Sequence, residues 1–252
     1  MKKFLIYSLS VGMMALSLLS CNDGNDEHTD KRITYYATLD LFGIEGEEKM
    51  IIDKGSTFVD PGYYAEMQGE DVSDQVVVNS NVDTSTSGVY SVAYSIVNAD
   101  GFSVTKVRTV VVLDPNDPVE GIYQTSSDAY RDYSGTLTNY GGPFEILVIN
   151  KGDYYFFDDL MAGWYCQRAG YGSDYAMAAE VTINDDGSLN LIYSEVPGWG
   201  DAADSLEGTY DSATGQFSYV LAYADVINFH VTLEKEGPEE EVESNEIDTN
   251  EE

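Results

Sequence analysis

Few residues in this chain have the type and spacing that acid–base, nucleophilic or metal chemistry requires. It holds two histidines and two cysteines. His28 lies in a polar stretch near the N-terminus, and His230 falls on the polar side of the alternating run Val226 to Glu234. A serine–histidine–aspartate triad needs a histidine fixed in a cleft by two partners, and no nucleophile-elbow motif accompanies His230. Clusters of Cys and His that would hold zinc are missing. Carboxylates abound, but the tempting pairs Asp158-Asp159 and Asp185-Asp186 are adjacent in sequence, and neighbouring strand residues point to opposite faces. Asp185-Asp186-Gly187 is better explained as a hairpin turn. No EF-hand spacing occurs, and nothing marks two carboxylates as a glycosidase pair. We therefore expect no enzyme, no catalytic residues and no cofactor, with a surface Ca²⁺ left open among so many acids. Cys166 reads as a small, partly buried apolar residue.

The chemistry that remains is aromatic. The chain carries 20 Tyr, 9 Phe and both its Trp residues outside any catalytic pattern, which turns attention to stacking. Trp164 and Tyr165 follow Ala162-Gly163, and Trp199 stands between Gly198 and Gly200. These stretches, 159–176 and 195–205, are Gly-rich and read as loops, with Tyr171 and Tyr175 in the first of them. Tyr130, Tyr133 and Tyr140 also fall in loop-like sequence. Aromatic rings on glycine-flanked loops form stacking platforms for sugar rings or peptide side chains. The competing reading is that they pack the core or cover its ends. Trp164, Tyr165, Trp199, Tyr171 and Tyr175 are the candidate ligand-binding residues.

The elements that must position them are strands. In Val89 to Val97 the residues Tyr90, Val92, Tyr94 and Ile96 share one face, the period of a half-buried strand. Asn98-Ala99-Asp100-Gly101 then turns the chain into Phe102 to Leu113. Lys49 to Asp53 and Gln75 to Asn79 are shorter candidates. About seven short strands over residues 33–114 predict a sandwich. Asp114-Pro115-Asn116-Asp117-Pro118 is a stiff connection, with residues 115–118 as linker. Residues 119–235 predict a second all-β domain of successive hairpins: Phe144 to Ile149 with Asp153 to Phe157, Ala179 to Asn184 with Ser188 to Tyr193, and Gln216 to Tyr223 with Val226 to Glu234. Such a meander closes into a barrel or folds into a sandwich.

The ends of the chain carry its address. Lys2 and Lys3 precede the apolar run Phe4 to Leu19, and Ser20-Cys21 follows at once. That is the layout of an export signal over residues 1–20, too short for a comfortable membrane span. Leu18-Leu19-Ser20-Cys21 resembles a bacterial lipobox, which implies lipidation of Cys21 and a membrane anchor. Residues 21–32 read as an acidic tether, and residues 236–252 as an acidic disordered tail. The whole chain has 45 acidic against 12 basic residues, and from Cys21 onward the net charge is −35. Such a surface repels nucleic acid and suits neutral or cationic ligands.

Three resemblances add to this. Gly55-Ser56-Thr57-Phe58-Val59-Asp60-Pro61-Gly62, then Val82-Asp83-Thr84, Gly88-Val89-Tyr90, Asp100-Gly101 and Arg108-Thr109-Val110-Val111-Val112 are similar to the turns and strands of bacterial immunoglobulin-like domains. An acidic tether just after the anchoring cysteine resembles the surface-export signal of Bacteroidota lipoproteins. The anchor, tether, immunoglobulin-like domain and aromatic-rich C-terminal domain together resemble accessory surface lipoproteins of SusC/SusD-type nutrient-uptake systems. That resemblance implies an outer-membrane location facing the exterior. It also implies a SusC-type TonB-dependent transporter and a SusD-type lipoprotein as partners, and a glycan or oligopeptide as ligand. A structural or adhesin-like lipoprotein that binds another protein is the alternative, and a hydrolase ranks last.

Overall fold

The computed structural model describes residues 34–42 and 48–237. The export segment, Cys21, the tether, and the acidic tail beyond Gly237 lie outside the described residues. What is described is almost wholly β.

The first seven strands are β1 (Thr38–Leu41), β2 (Lys49–Asp53), β3 (Tyr63–Met67), β4 (Glu70–Asp71), β5 (Val77–Ser80), β6 (Gly88–Val97) and β7 (Ser103–Leu113). They form a three-stranded sheet, β1-β3-β4, facing a four-stranded sheet, β2-β7-β6-β5, with β2 parallel to β7. The alternation read from the sequence decides which side faces inward. Val92, Tyr94, Ile96, Val110 and Val112 are buried against Leu39, Leu41 and Ala65 of the other sheet. Of the strand expected over Gln75 to Asn79, Gln75 belongs to a 3₁₀ turn, Ser73–Gln75, and β5 begins only at Val77.

This sandwich buries one charge. Arg108 is fully buried on the inward side of β7, where its guanidinium meets the Asp60 carboxylate, which also accepts the Tyr94 hydroxyl at 2.7 Å. Burial of an unpaired guanidinium would be prohibitive, so Asp60 in the Asp60-Pro61-Gly62 turn is what permits Arg108 at that position.

The remaining strands are β8 (Gly121–Thr125), β9 (Tyr130–Tyr133), β10 (Thr136–Asn139), β11 (Glu145–Asn150), β12 (Tyr155–Phe157), β13 (Ala178–Ile183), β14 (Leu189–Glu195), β15 (Ser205–Asp211), β16 (Gln216–Tyr223) and β17 (Ile227–Lys235). From β11 to β14 and from β15 to β17 each strand pairs antiparallel with the next, and β8 lies between β17 and β11. The remaining gap is bridged between Ser188 and Thr209, where Tyr210 N–H also donates to the Gly187 carbonyl at 2.8 Å. The sheet therefore curls into an eight-stranded meander barrel, which decides between the two architectures the hairpins allowed. The β9–β10 hairpin extends the wall beside the first half of β17.

Side chains fill the barrel. Phe217 sits at its middle, with the rings of Tyr123, Phe157 and Tyr210 centred 5.2, 5.1 and 4.8 Å away. One turn and one strand need glycine: Gly187 has φ +83° in its turn, and a Cβ on Gly208 in β15 would meet Tyr219 Cβ at 2.3 Å, so β15 and β16 touch there.

The two units pack together through Val111 and Leu113 of β7 and Ile122, Leu147 and Ile149 on the outside of the barrel. The Glu120 carboxylate accepts the backbone N–H groups of Asp114 and Asn150, and Asp117 accepts the Asn150 amide. The connection is thus hydrogen-bonded to the barrel rim in addition to being stiffened by its prolines.

Candidate functional site

The connection from the sandwich enters the barrel at the start of β8. An antiparallel meander then places the segments 158–177, 196–204 and 224–226 at the opposite end. The longest of these, 158–177, folds over that end as a cap. Its apolar side, Leu160, Met161, Ala162, Trp164 and Met177, closes the core.

Asp159 organises the cap. Its carboxylate is buried and accepts Met161 N–H, Gly163 N–H and Met177 N–H at 2.9, 2.9 and 3.0 Å, and the Cys166 thiol at 3.0 Å. Both ends of the segment are therefore tied to one side chain. Burial raises the Asp159 pKa, and the Cys166 and backbone bonds oppose that shift. Tyr140 and Tyr219 donate their hydroxyls to the carbonyls of Met161 and Leu160 at 2.8 and 3.0 Å, and Thr125 donates to that of Ala162 at 3.1 Å. The buried polar backbone of the cap is thus largely satisfied. Half-buried Asp158 accepts Leu147 N–H at 2.8 Å, and burial pushes its carboxyl up to about 7. The Cys166 thiol is raised by burial and by Asp159, so it stays protonated and has no nucleophilic character at neutral pH.

Where a loop was expected, the chain winds through a π-helical stretch, Trp164–Arg168, and a 3₁₀ turn, Ser173–Tyr175. Gly163, at φ +83°, starts the first, and a Cβ there would strike Phe144 at 2.5 Å. This winding separates the candidate residues. Trp164 is turned inward and is 3% exposed, edge-on to Tyr140 at 4.9 Å, with the guanidinium carbons of Arg131 and Arg168 4.5 and 4.2 Å from its ring centroid. It is a core residue, and the expectation that it lines a ligand loop is corrected. Tyr140 is likewise buried, and Tyr130 and Tyr133 lie in β9 and not in a loop.

The other four candidates come together. Tyr165 meets Trp199 edge-on at 4.8 Å and Tyr171 in a stacked arrangement at 6.1 Å. Trp199 meets Tyr175 at 4.9 Å, and Tyr171 meets Tyr175 at 5.5 Å. The Gly198 N–H donates to the Asp174 carbonyl at 2.6 Å, fastening the Trp199 loop to the cap, and a Cβ on Gly198 would strike Tyr175 at 2.7 Å. Trp199 and Tyr171 remain 43% and 56% exposed, so this cluster presents ring surface to solvent. It forms a ledge rather than a pocket.

Polar groups rim the ledge that sequence reasoning did not single out. Burial raises the Tyr165 pKa, and the Arg131 guanidinium opposes that shift. Asp201 accepts the Tyr223 hydroxyl at 2.7 Å, and burial together with that bond raises the tyrosine. The signal for Arg131 was available: it is one of only four arginines and lies between tyrosines in an alternating stretch.

His230 stacks on Tyr130, centroids 4.3 Å apart, in a shallow groove of about 330 Å³ on the outer wall beside Asp128, Glu207 and Ser218. Among the described residues no nucleophile is hydrogen-bonded to it. Among the described residues no three His, Cys, Asp or Glu side chains are grouped to hold a metal ion.

Comparison with known proteins matches this architecture to a class. A family model for a bacterial surface protein immunoglobulin-like domain matches residues 42–112, and one described as a C-terminal domain matches residues 112–235. The molecule is of the bacterial surface lipoprotein class, a sandwich followed by a capped barrel. The solved structure of the lipoprotein BT2262 from Bacteroides thetaiotaomicron is 37% identical, with a TM-score of 0.69, and the alignment covers 79% of this chain and all of that one. The chain belongs to the family of that lipoprotein. Two structures containing domains of Clostridium perfringens ZmpB are far more distant, and their likeness carries no argument. They are 13% and 12% identical with TM-scores of 0.26 and 0.25, covering 79% and 77% of this chain and 21% and 43% of theirs. No curated protein matches the chain.

Proposed function

We propose that this chain is a non-enzymatic lipoprotein of the outer-membrane surface, anchored through Cys21, that captures a glycan on the Tyr165–Tyr171–Tyr175–Trp199 ledge for a SusC/SusD-type uptake system. The observation that carries the reading is the ledge itself. Three aromatic side chains of a cap whose backbone is tied down group with Trp199 of the loop fastened to it, at the barrel end opposite the connection to the anchored part of the chain. Faces of Trp and Tyr rings stack on the C–H faces of sugars, and the adjacent hydroxyls and carboxylates suit sugar hydroxyls. An open ledge fits a polymer passing across it better than a small substrate enclosed for reaction.

A second observation favours contact with a protein subunit. The outer face of the four-stranded sheet exposes Val77, Val89, Val97 and Val107 at 59, 52, 56 and 46%, interspersed with Ser91, Ala93, Ser95, Thr105 and Thr109. Charge on this face is confined to Lys49 and Asp53 of β2, and the rest of it suits packing against the transporter or its SusD-type partner.

Purification of the anchored protein in mild detergent tests the assignment to an uptake system. The expected result is recovery together with a large β-barrel transporter and a second lipoprotein. Recovery of this chain alone, at native expression levels, would contradict it.

A further inference from the structure

The two sheets of the sandwich end in four strand edges, and three of them are guarded by charge. β2 carries Lys49 and Asp53 at its ends, and Lys49 is paired with Glu145 of the barrel. β1 carries Asp40, which pairs with Lys106. β4 is Glu70–Asp71, two carboxylates in sequence. Charges at an edge oppose pairing with another chain. The fourth edge, β5, has none: Val77, Val78, Asn79 and Ser80 are all exposed and uncharged. The β6 residues opposite them, Ser95, Tyr94, Ala93 and Val92, are uncharged as well. The barrel's β10 is also free of charge, but Asp132 and Arg131 of β9 stand opposite its Leu137 and Thr138. Asn81 N–H donates to the Ser91 carbonyl at 3.2 Å, which fixes the alternation of the β5–β6 ladder. The N–H and C=O groups of Val77 and Asn79 therefore face β6, and those of Val78 and Ser80 face the open side. Among the described residues no strand pairs with that side. Val78 shares the inner side of the sheet with Tyr94 and is still 40% exposed, so the core too is open at this edge.

We infer that β5 takes up an extended segment of another protein as a fifth strand of this sheet, a segment uncharged in its middle with Lys or Arg at both ends. This rests on the proposed contact of the adjoining face with a protein subunit and supplies its mode. Val77, opposite Ser95, belongs to that face, so the added strand would continue it into the partner. Backbone hydrogen bonds to Val78 and Ser80 would give the affinity, and alternate side chains the selectivity. The charge class follows from the flanks. Asp74 stands three residues before Val77 and Asp83 three residues after Ser80, both exposed, and no basic residue lies between Lys54 and Lys106. The same flanks argue against a second copy of this chain. Antiparallel pairing of β5 with β5 that matches all four residues sets Asp74 opposite Asp83 of the other copy at both ends, and like charges directly opposite destabilise a strand pair.

The test is amide hydrogen exchange of the full mature chain, followed by NMR, with two synthetic peptides. Both alternate Val and Thr, one between terminal lysines and the other between terminal glutamates. The expected result is that the lysine-ended peptide slows exchange at Val78 and Ser80 at least about tenfold, as new strand hydrogen bonds do, and that the glutamate-ended peptide does not. Val78→Pro removes an outward N–H without touching the bonds to β6, and an edge strand tolerates it. Val78→Lys instead adds the missing charge. Both variants, with melting followed alongside, should lose the slowing at Ser80. No slowing by either peptide, equal slowing by both, or slowing without peptide in a dimer of this chain overturns the inference. Co-purification separates it from the reading on which it rests. A transporter and second lipoprotein recovered with Val78→Pro as fully as with the unaltered chain overturns strand addition and leaves packing on the sheet face standing. Recovery of the unaltered chain alone overturns the partner reading as well.

Discussion

Trp164 and Trp199 have similar glycine-flanked neighbourhoods in the sequence and end in opposite environments. Trp164 closes the core between two arginines, whereas Trp199 is 43% exposed on the ledge. Their alanine variants should therefore separate stability from binding. Trp164→Ala leaves a large cavity and should cost ~3–5 kcal/mol, read as a fall in melting temperature. Trp199→Ala should leave the melting temperature nearly unchanged and abolish ligand capture. Asp158 makes the second prediction at this scale. Its folded-state pKa is raised, so the stability it contributes is full below pH 4 and is lost as pH rises through about 7. Asp158→Asn keeps an acceptor for Leu147 N–H and cannot ionise. It should flatten the fall in stability between pH 4 and 7 and gain about 1–2 kcal/mol at pH 8, allowing for partial solvent screening. A slope unchanged by the substitution would assign the titration to Asp159 alone.

At the scale of elements, the strands with a strict period of two were legible from the sequence. Gln216–Tyr223 and Lys49–Asp53 run between the expected residues, and the Asn98–Gly101 and Asp185–Gly187 turns fall where their residue types placed them. The cap was not legible. Residues 159–176 have no period, because the segment is shaped by one buried carboxylate and three hydroxyls that reach it from β8, β16 and Tyr140. Such long-range hydrogen bonds leave no local pattern, and glycines that serve a π-helical start look the same as glycines that serve a loop. Trp164 was misplaced for that reason. Tyr165, Tyr171, Tyr175 and Trp199 were selected by residue type and glycine context, but their mutual contact comes only from the fold. Gly163→Ala tests the cap as an element. Its φ of +83° and the clash with Phe144 should loosen residues 161–168 and make Cys166 reactive to thiol reagents while the barrel strands stay protected from hydrogen exchange.

For the whole molecule, the connection and the Val111–Leu147 contact join sandwich and barrel. Leu147 is 5% exposed on the outer barrel wall and covered by the sandwich. A charge there would be buried without a partner. Leu147→Asp should split thermal unfolding into two transitions, where the unaltered protein shows one. Two transitions in the unaltered protein would mean that the contact does not couple the units. A stiff coupling matters for the proposed role, because it gives the ledge a set position relative to the sheet face proposed to meet a partner.

The measurement that bears most directly on the central claim is binding of a broad oligosaccharide panel to the full mature chain and to Trp199→Ala, with circular dichroism showing that both are folded. The account predicts that at least one glycan class binds the unaltered chain and is lost by the variant at an unchanged melting temperature. Binding that survives Trp199→Ala in full, or no binding by either, would contradict glycan capture on the ledge.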